Sequence, residues 1–333
     1  MVPAFPGGSL IAGFPLQLMT EFQSIPVLIT GAEGFIGSHL ARRLAGEGAR
    51  ISALVRPGAD LSRLAGLEER IEIHPLDIRK AGPLARLAAT SRPRLIFHLA
   101  AVTDPSRSPG GFDRCMAVNF IGPLNLLRAL EKIEYDRLIA ACTAEVYGRN
   151  SAPFREDMLP DPVSPYSLSK AAATLLCRNW AAAYDCPVTV LRLFLVYGPG
   201  QGEGRFLPQL IESALAEKPF RMTPGEQTRE YTYISDVVEG FIRAAERGPA
   251  GEVVNLGSGE EISLRDLVRL TGEVLGRKVV LDPDFLPYRK NEIRRFVGDH
   301  SRARRLLGWH PRIGLEEGIR RTIAAHPVIS PVR

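Results

Sequence analysis

The chain has 333 residues, 45% of them hydrophobic and 24% charged, a balance typical of a globular protein with a large core. The net charge of +5 is small for this length, and no basic run contains interleaved aromatic residues, so a nucleic-acid partner is not expected. No apolar run is long enough to span a bilayer, and the four cysteines lack CxxC and metal-ligand spacing, which predicts reduced thiols in a cytoplasmic protein without a metal site.

The first 24 residues differ in composition from the rest of the chain. They are rich in glycine, proline and phenylalanine and contain neither lysine nor arginine. A secretory signal peptide needs a positively charged start and a cleavage site, and neither is clear here. We interpret residues 1–24 as an N-terminal extension, with Met19 as an alternative start.

The first predicted strand, residues 25–30, leads directly into a glycine-rich turn. Gly31, Gly34 and Gly37 have the spacing of a dinucleotide-binding turn, and a helical pattern follows from about residue 35 to residue 47. The first glycine permits a tight turn, the second lets a pyrophosphate approach the backbone, and the third allows close helix–strand packing. The start of this helix, at Phe35 and Ile36, is expected to offer N–H groups to the phosphates. The alternative is a purely structural glycine turn.

The second predicted strand, residues 50–56, lacks the acidic residue with which an NAD site usually binds the ribose hydroxyls. Val55 and Arg56 stand at its end, and Arg63 follows. Because an arginine can bind a 2′-phosphate that a carboxylate would repel, this pattern favours NADP(H) over NAD(H). The alternative is that Arg56 is an ordinary surface charge.

Further cofactor contacts are expected at the ends of the third and fourth strands. Asp77 ends the third strand, where it would meet the adenine. The fourth strand, residues 95–101, is continuously apolar, as in a parallel sheet, and leads into small residues that leave room for a cofactor. We interpret His98 in this strand as a core histidine. The residues assigned to the cofactor here are Asp77, Ile78, Leu99, Ala100, Ala101 and, on a predicted helix from about residue 115 to 132, Asn119.

The chemistry is expected on a helix that begins near Ser164, a suitable capping residue, and Pro165, a suitable first-turn residue. Positions i and i+4 share a helix face, so Tyr166 and Lys170 project side by side. A neighbouring ammonium favours the phenolate and lowers the pKa of a tyrosine, which allows proton transfer near neutral pH. The alternative is a surface tyrosine beside a solvated lysine.

Two more polar residues are expected in the same cleft. Thr143 and Glu145 follow the fifth predicted strand, residues 138–142. In a doubly wound sheet, ligands bind outside the carboxyl ends of the strands. Thr143 and Glu145 are therefore candidates for the same site as the tyrosine and lysine.

The composition changes after the sixth strand, residues 188–193. A glycine-rich turn over residues 197–204 begins a second lobe, and the chain returns to the first around residues 231–243 and 253–257. The predicted fold class is α/β, a Rossmann-type doubly wound parallel sheet with a smaller, partly interleaved α/β substrate-binding lobe. The expected division is an extension (1–24), an NAD(P)-binding domain (25–194 with about 229–258) and a substrate-binding lobe (195–228 and 259–326).

Taken together, these motifs resemble the extended short-chain dehydrogenase/reductases, specifically the NAD-dependent epimerase/dehydratase family that acts on nucleotide sugars. The resemblance covers residues 25 to about 325. It rests on the glycine turn and on six further stretches, which are Asp77-Ile78, His98-Leu99-Ala100-Ala101, Thr143-x-Glu145-Val146-Tyr147-Gly148, Tyr166-x-x-x-Lys170, residues 229–236 and residues 255–259.

The resemblance implies catalytic roles. Tyr166 would be the general acid/base on a sugar hydroxyl, and Lys170 would hold the nicotinamide ribose and lower the pKa of Tyr166. Thr143 would hydrogen-bond the same sugar oxygen. The resemblance also implies a homodimer, in which the apolar faces of the helices beginning near Cys115 and Ser164 would form a four-helix contact.

The resemblance further implies a nucleotide-diphosphate sugar as the substrate. Arg229 and Arg289 would bind its diphosphate, a role suited to the guanidinium fork, and Phe206 falls where the family packs the nucleotide base. Two departures concern substrate identity. Leu195 replaces a frequent asparagine, and residues 289–292 replace the usual Arg-Pro-Gly-Asp.

Three functions follow as hypotheses. The first is an enzyme that oxidises a nucleotide-linked hexose at C4 with tightly bound NAD(P) and returns the hydride, giving an epimer or a dehydrated 4-keto-6-deoxy sugar. The second is an NADPH-dependent reductase of a 4-keto-6-deoxy sugar, and the third is a non-catalytic sensor or scaffold protein. The intact tyrosine, lysine and threonine argue against the third.

Glu145 bears on the choice between epimerisation and dehydration. By the resemblance, 4,6-dehydratases use a glutamate at this position to remove the C5 proton, whereas 4-epimerases commonly have a small residue. Ala144 stands where one dehydratase subgroup has an aspartate. The alternative is that Glu145 only accepts a hydrogen bond.

Overall fold

The computed structural model describes residues 22–103, 108–288, 292–326 and 329. Arg289 and residues 1–21 of the expected extension lie outside this part of the chain. The strands within it are β1 (Pro26–Thr30), β2 (Arg50–Val55), β3 (Ile71–Pro75), β4 (Leu95–His98), β5 (Arg137–Thr143), β6 (Val188–Leu193), β7 (Leu195–Tyr197), β8 (Thr228–Tyr233), β9 (Val253–Leu256), β10 (Glu261–Ser263) and β11 (Arg295–Phe296). The helices are α1 (Phe35–Gly46), α2 (Ala81–Ser91), α3 (Pro109–Met116), α4 (Gly122–Leu130), α5 (Pro165–Tyr184), α6 (Phe206–Leu215), α7 (Ile234–Arg247), α8 (Leu264–Leu275), α9 (Ser301–Leu307) and α10 (Leu315–Ala324).

The main sheet of the described chain has seven strands, all parallel, in the order β3-β2-β1-β4-β5-β6-β9. Successive side chains of a strand point to opposite faces, and both faces are buried here. Val27 and Ile29 lie in one hydrophobic core, and Leu28 lies in the other. This two-sided burial explains the continuous apolar strands of the sequence. The predicted Rossmann-type sheet is confirmed.

Helices cover both faces of this sheet. On one face α1 packs against α7, and Leu40 and Phe241 join the core of that side. On the other face α2 packs against α4, and Leu84, Leu126 and Cys177 of α5 join the second core. None of the helices in the described ranges is both long and apolar enough to cross a membrane.

The helix α5 begins where the sequence predicts. The Ser164 hydroxyl accepts the N–H of Ser167 at 3.0 Å, and the Ser167 hydroxyl accepts the N–H of Ser164 at 3.0 Å. Pro165 occupies the first turn, where its missing N–H costs nothing. This reciprocal cap fixes the start of the helix, and with it the direction in which its first turn faces the sheet.

The single helix predicted over about residues 115–132 is instead three segments. A π-helical turn, Ala117–Ile121, separates α3 from α4. Pro123 explains the interruption, because proline has no N–H and its ring clashes with the carbonyl four residues earlier, at Asn119. The widened turn lies at Asn119, one of the predicted cofactor residues.

The second sheet of the described chain is small and centred on β8, which pairs antiparallel with β10 and parallel with β7 and β11. The expected division placed residues from about 229 in the first lobe, whereas β8 pairs in this second sheet. The next elements return to the first lobe, since α7 packs on α1 and β9 pairs with β6. Tyr197 of β7, which pairs with β8, lies in the same hydrophobic core as Val27 of the main sheet, so the two sheets are packed together.

Candidate active site

The glycine turn after β1 is built by close backbone contacts. Gly31 has a φ of +72°, and a Cβ there would lie 2.7 Å from the backbone N of Ala100. A Cβ on Gly37 would lie 2.2 Å from the carbonyl oxygen of Gly31. The turn therefore requires glycine at both positions, and it brings the loop after β4, with Leu99 and Ala100, against the loop after β1.

The N-terminus of α1 faces this turn. Its cap is Gly34, which has an extended backbone and no side chain to bond the first N–H groups of the helix. Phe35 and Ile36 are the first helical residues and are partly buried. A helix N-terminus that has free N–H groups and follows a glycine-rich turn has the geometry that binds a pyrophosphate. The site residues predicted for the phosphates thus lie together.

The edge formed by the ends of β2 and β3, where the sequence predicts that Arg56 binds a 2′-phosphate, contains an acidic side chain. The backbone N–H of Arg56 donates to Oε1 of Glu33 at 3.0 Å, and the Arg56 side chain is exposed. Glu33 belongs to the glycine turn, so an acidic group does lie beside the end of β2. Glu33 stands inside the glycine motif of the sequence, but only the fold shows that its side chain contacts the neighbouring strand.

Asp77 follows β3, as predicted, and its carboxylate already has a partner. The Arg79 guanidinium donates to it from Nε at 2.9 Å and from Nη2 at 2.6 Å, and this bonding holds the pKa of Asp77 below its usual value. Ile78 beside it is buried. The pair lies next to the Glu33 edge of the sheet, because β3 pairs with β2.

Asn119, which the sequence predicts to contact the cofactor, is bonded to two other parts of the chain. Its side chain is buried, with 1% exposed. Oδ1 accepts the N–H of Val102 at 2.8 Å, while Nδ2 donates to the Val102 carbonyl at 3.0 Å and to the Ser169 hydroxyl at 2.9 Å. Asn119 therefore joins the loop after β4 to α5, and it positions both elements.

Tyr166 and Thr143 form the centre of the site. The two hydroxyls face each other across the gap between the first turn of α5 and the end of β5, close enough for Thr143 to lower the pKa of Tyr166. Part of the Tyr166 side chain is exposed, but protein atoms surround its hydroxyl. This burial raises the pKa of Tyr166, Cys142 and Glu145 add to the rise, and Thr143 and the charge of Arg205 oppose it.

Lys170 lies one turn further along α5. It is 5% exposed, and its Nζ donates to the carbonyl of Ala141 at 2.6 Å. Burial lowers the pKa of Lys170. Burial also lowers the pKa of His98, and with a smaller contribution from the charge of Lys170 that pKa falls to about 3. The sequence predicts that Lys170 lowers the pKa of Tyr166, whereas the strongest lowering influences here are Thr143 and Arg205. The reason is that the ammonium is directed to a carbonyl of β5.

The neutral His98 is part of the core. It is 4% exposed, and its Nδ1 is hydrogen-bonded to the Thr30 hydroxyl at 2.8 Å. A pKa of about 3 means that the imidazole carries no charge at neutral pH. The interpretation of His98 as a core histidine is confirmed.

Glu145 is tied to the cap of α5. Its Oε1 accepts the Ser164 hydroxyl at 2.5 Å, and its backbone N–H donates to the Thr143 hydroxyl at 3.2 Å. The same serine hydroxyl accepts the Ser167 N–H. Glu145 is thus linked both to the cap of α5 and to Thr143. Glu145 lies close enough to Tyr166 to act on its pKa.

Two of the residues predicted for the substrate, Phe206 and Arg229, lie outside the main sheet. Phe206 begins α6 and packs edge-on against Phe220, with ring centroids 5.3 Å apart. Arg229 is 15% exposed on its side chain, pairs with Glu292 at 2.5 Å, and donates to the Ile293 carbonyl at 2.8 Å. Arg229 is therefore part of a bonded cluster that a diphosphate would have to join.

Arg205 was missed by the sequence analysis. It stands directly before α6 and donates from Nη2 to the Thr103 hydroxyl at 3.4 Å, and its charge lowers the pKa of Tyr166. Only the fold brings residue 205 to residue 166, and no spacing in the sequence signals it. The described residues contain no cluster of three or more histidine, cysteine, aspartate or glutamate side chains arranged for a metal.

Comparisons with known proteins agree with this geometry. The model of the NAD dependent epimerase/dehydratase family matches residues 27–257. A UDP-glucose 4-epimerase of Mycolicibacterium smegmatis is 33% identical over 305 residues, which cover 89% of this chain and 96% of the relative. A dTDP-glucose 4,6-dehydratase of Neisseria gonorrhoeae is 29% identical over 326 residues, covering 89% of this chain and 94% of the relative.

A solved structure shares the fold. The UDP-glucuronic acid 4-epimerase of Bacillus cereus, in complex with UDP-glucuronic acid and NAD, superposes with a TM-score of 0.82 at 29% identity. The match covers 90% of this chain and 98% of that one.

Proposed function

The chain belongs to the NAD-dependent epimerase/dehydratase family, and from this premise we propose that it is an enzyme that oxidises a nucleotide-linked hexose at C4 and returns the hydride to give the 4-epimer. The observation that carries the proposal is that Tyr166 and Thr143 lie side by side at the carboxyl end of β5, with Lys170 one helical turn beyond Tyr166. This is an acid/base group beside a second hydroxyl that can hold the same substrate oxygen.

The residues of the glycine turn fit a nicotinamide dinucleotide. The turn excludes any side chain at Gly31 and Gly37, and the uncapped start of α1 suits its pyrophosphate. We propose NAD, which is the cofactor in the solved neighbour. When bound, it supplies the group that accepts and returns the hydride at the sugar C4.

The protein residues then handle the proton. We assign to Tyr166 the removal of the O4 proton and its return, and to Thr143 a hydrogen bond to the same oxygen. Burial raises the pKa of the Tyr166 phenol, so the phenolate forms with the help of the positive charge of Arg205. Lys170 also positions the first turns of α5 through its bond to Ala141.

Epimerisation is favoured over elimination by the surroundings of Glu145. Loss of water needs a base at C5 and an acid at the leaving hydroxyl. The Glu145 carboxylate is bonded by the Ser164 hydroxyl at 2.5 Å, and Ala144 beside it is buried and carries no acid. The proximity of Glu145 to Tyr166 keeps 4,6-dehydration as the second candidate. A reductase has less support, since the solved neighbour contains NAD.

The test is incubation of the protein with UDP-, dTDP-, GDP- and CDP-hexoses, with product mass and cofactor absorbance followed. An epimerase leaves the mass of the sugar nucleotide unchanged, a dehydratase removes one water, and a reductase consumes reduced cofactor. Glu145→Gln separates the first two, because it keeps the hydrogen bond from Ser164 but cannot take a proton. Unchanged turnover in Glu145→Gln supports epimerisation, whereas trapped reduced cofactor with no loss of water supports dehydration.

We propose that the substrate lies between the lobes, with residues 195–228 and 259–326 forming most of its nucleotide site. Phe206 lies in the first of these ranges, Arg229 lies in the adjoining strand β8, and the charge of Arg205 acts on Tyr166. The ion pair of Arg229 with Glu292 supports a diphosphate role only if the phosphate joins that pair. Weaker binding of UDP to Arg229→Ala, with NAD binding unchanged, is the expected result.

We propose a homodimer formed by α3, the π-helical turn and α5. These elements pack on one another and expose large apolar side chains. Phe112 is 40%, Ile121 41%, Leu168 41% and Leu175 59% exposed. A second copy would bury this face across a two-fold axis. Light scattering should give a dimeric mass for the wild type and a monomeric mass for Leu175→Glu.

We also propose a reducing, cytoplasmic compartment. The four cysteines are free thiols, and three of them are buried. Burial raises the pKa of Cys177 to about 12, so this thiol stays protonated and unreactive. Cell fractionation of the native source is the test.

A further inference from the structure

The glycine turn contains an acidic side chain whose position is unusual. Glu33 stands directly before Gly34, and its carboxylate reaches across to the end of β2, where Oε1 accepts the N–H of Arg56 at 3.0 Å. In a Rossmann fold, the adenosine ribose lies at the ends of β1 and β2, and an acid at the end of β2 usually binds its hydroxyls. The chain lacks that acid but places another carboxylate at the same edge.

This carboxylate is incompletely bonded. Oε2 of Glu33 is buried and has no hydrogen-bond partner among the described residues. A carboxylate has about four acceptor sites, and leaving a buried oxygen without a donor is costly. A hydroxyl donor next to Glu33 would remove that cost, whereas a phosphate, which offers only acceptors and negative charge, would add to it.

We infer that Glu33 accepts a hydrogen bond from the adenosine 2′-hydroxyl of the cofactor and thereby selects NAD against NADP. The inference rests on the proposed function, since it assumes a bound dinucleotide. It assigns specificity to a residue of the glycine turn rather than to the end of β2. Arg56, from which the sequence predicts NADP, contributes its backbone N–H to hold Glu33 in place, and its exposed side chain does not decide the preference.

The test measures binding by calorimetry with the full-length protein. The ligands are NAD⁺, NADP⁺ and the NAD⁺ analogue that lacks the adenosine 2′-hydroxyl. The variants are Glu33→Ala, Glu33→Gln, which can still accept the Arg56 N–H, and Arg56→Ala. Asp60→Asn is the matched control, because it removes an exposed acid from the loop after β2 that is bonded to Ser62. Thermal unfolding checks that each variant is folded.

In the wild type, NAD⁺ should bind about 10- to 100-fold more tightly than both NADP⁺ and the 2′-deoxy analogue, as expected for a charge-assisted hydrogen bond. In Glu33→Ala the analogue and NAD⁺ should bind equally, and NADP⁺ should bind more tightly than to the wild type. Glu33→Gln should improve NADP⁺ binding by removing the negative charge. Asp60→Asn and Arg56→Ala should leave the NAD⁺ to NADP⁺ ratio within about threefold of the wild type.

Several results would overturn the inference. One is a loss of affinity on removal of the 2′-hydroxyl that is the same in the wild type and in Glu33→Ala. Glu33 would then only hold the backbone of Arg56. Another is wild-type preference for NADP⁺ that Arg56→Ala abolishes. A third is an equal change of the ratio in Asp60→Asn, which would point to net charge. If the wild type binds no dinucleotide, the proposed function fails as well, whereas the first three results leave it intact.

Discussion

The edge of the sheet that we propose for catalysis, at the end of β5 and the start of α5, differs from the edge that we propose for the adenosine, at the ends of β2 and β3. We refer to them as the catalytic edge and the adenosine edge. At the catalytic edge Glu145 is bonded to Thr143 and to the cap of α5, and Tyr166 lies beside them. At the adenosine edge the acid expected on β2 is missing, and Glu33 reaches over from the glycine turn. The proposed chemistry thus depends on residues around the end of β5 and the start of α5. The proposed cofactor preference depends on a contact between the turn after β1 and the end of β2.

This difference has a physical reason. A helix places residues i and i+4 together whatever surrounds it, so Tyr166 and Lys170 can be paired from their spacing alone. The reach of a glutamate to the next strand depends on strand register, and β1 and β2 pair so that Thr30 lies opposite Leu54. Residues just beyond these two strands, Glu33 and Arg56, then meet.

The largest expected effect is at the catalytic edge. Tyr166→Phe removes only the hydroxyl that moves the proton, so turnover should fall about 10²–10⁴-fold. NAD⁺ binding should stay within about threefold of the wild type, because the glycine turn and the adenosine edge are unchanged. Activity assays with the sugar nucleotide found in the panel, together with calorimetry, check both parts. Near-normal turnover would remove Tyr166 from the mechanism.

The second prediction concerns the turn that supports the adenosine edge. Gly37→Ala places a Cβ 2.2 Å from the Gly31 carbonyl oxygen, which the backbone cannot accommodate without moving. Overpacking of this kind costs about 1–3 kcal/mol of unfolding free energy, and it should also abolish tight NAD⁺ binding. Gly204→Ala is the control, because a Cβ there has nothing within 4 Å. Chemical denaturation of both variants measures the difference, and equal stability would contradict the packing argument.

The sequence predicts the main sheet and the centre of the site, because both depend on local patterns. Continuous apolar strands, the glycine spacing and the capping serine Ser164 each follow from a few adjacent residues. The comparisons confirm the family and the fold. The same local reasoning gave the start of α5 to the residue.

The remainder depends on contacts that no local pattern contains. The π-helical turn follows from Pro123, but its consequence, the bonding of Asn119 to Val102 and Ser169, requires three distant segments to meet. Arg205 reaches the site only after the second lobe packs on the first. The sequence groups β8 with α7 and β9 in the first lobe, but the structure pairs β8 in the second sheet.

The third prediction tests Asn119, which joins the loop after β4 to α5 at the catalytic edge. Asn119→Asp keeps the acceptor for the Val102 N–H but loses the donors to the Val102 carbonyl and to Ser169. Leaving such buried groups unpaired should cost about 1–3 kcal/mol of stability. Because the residue positions α5 and the loop after β4, the turnover number should fall more than NAD⁺ affinity. Thermal unfolding measures the loss of stability, activity assays measure turnover, and calorimetry measures NAD⁺ affinity. A loss of NAD⁺ affinity alone would support the predicted direct contact of Asn119 with the cofactor.

The smallest expected effect is a shift in pH dependence at the catalytic edge. Burial raises the pKa of Tyr166, so the phenolate that accepts the O4 proton becomes more populated as pH rises, and the rate should rise with it. The Arg205 charge lowers that pKa, and its removal in Arg205→Ala should therefore move the rising limb to higher pH. Arg205→Lys keeps the positive charge and should leave the limb close to its wild-type position. A single-turnover rate profile measured by cofactor absorbance separates this shift from weaker substrate binding, which would change KM at every pH. If Arg205→Ala moves the limb to lower pH or leaves it in place, Arg205 has no electrostatic role at Tyr166, and the catalytic edge is independent of the second lobe.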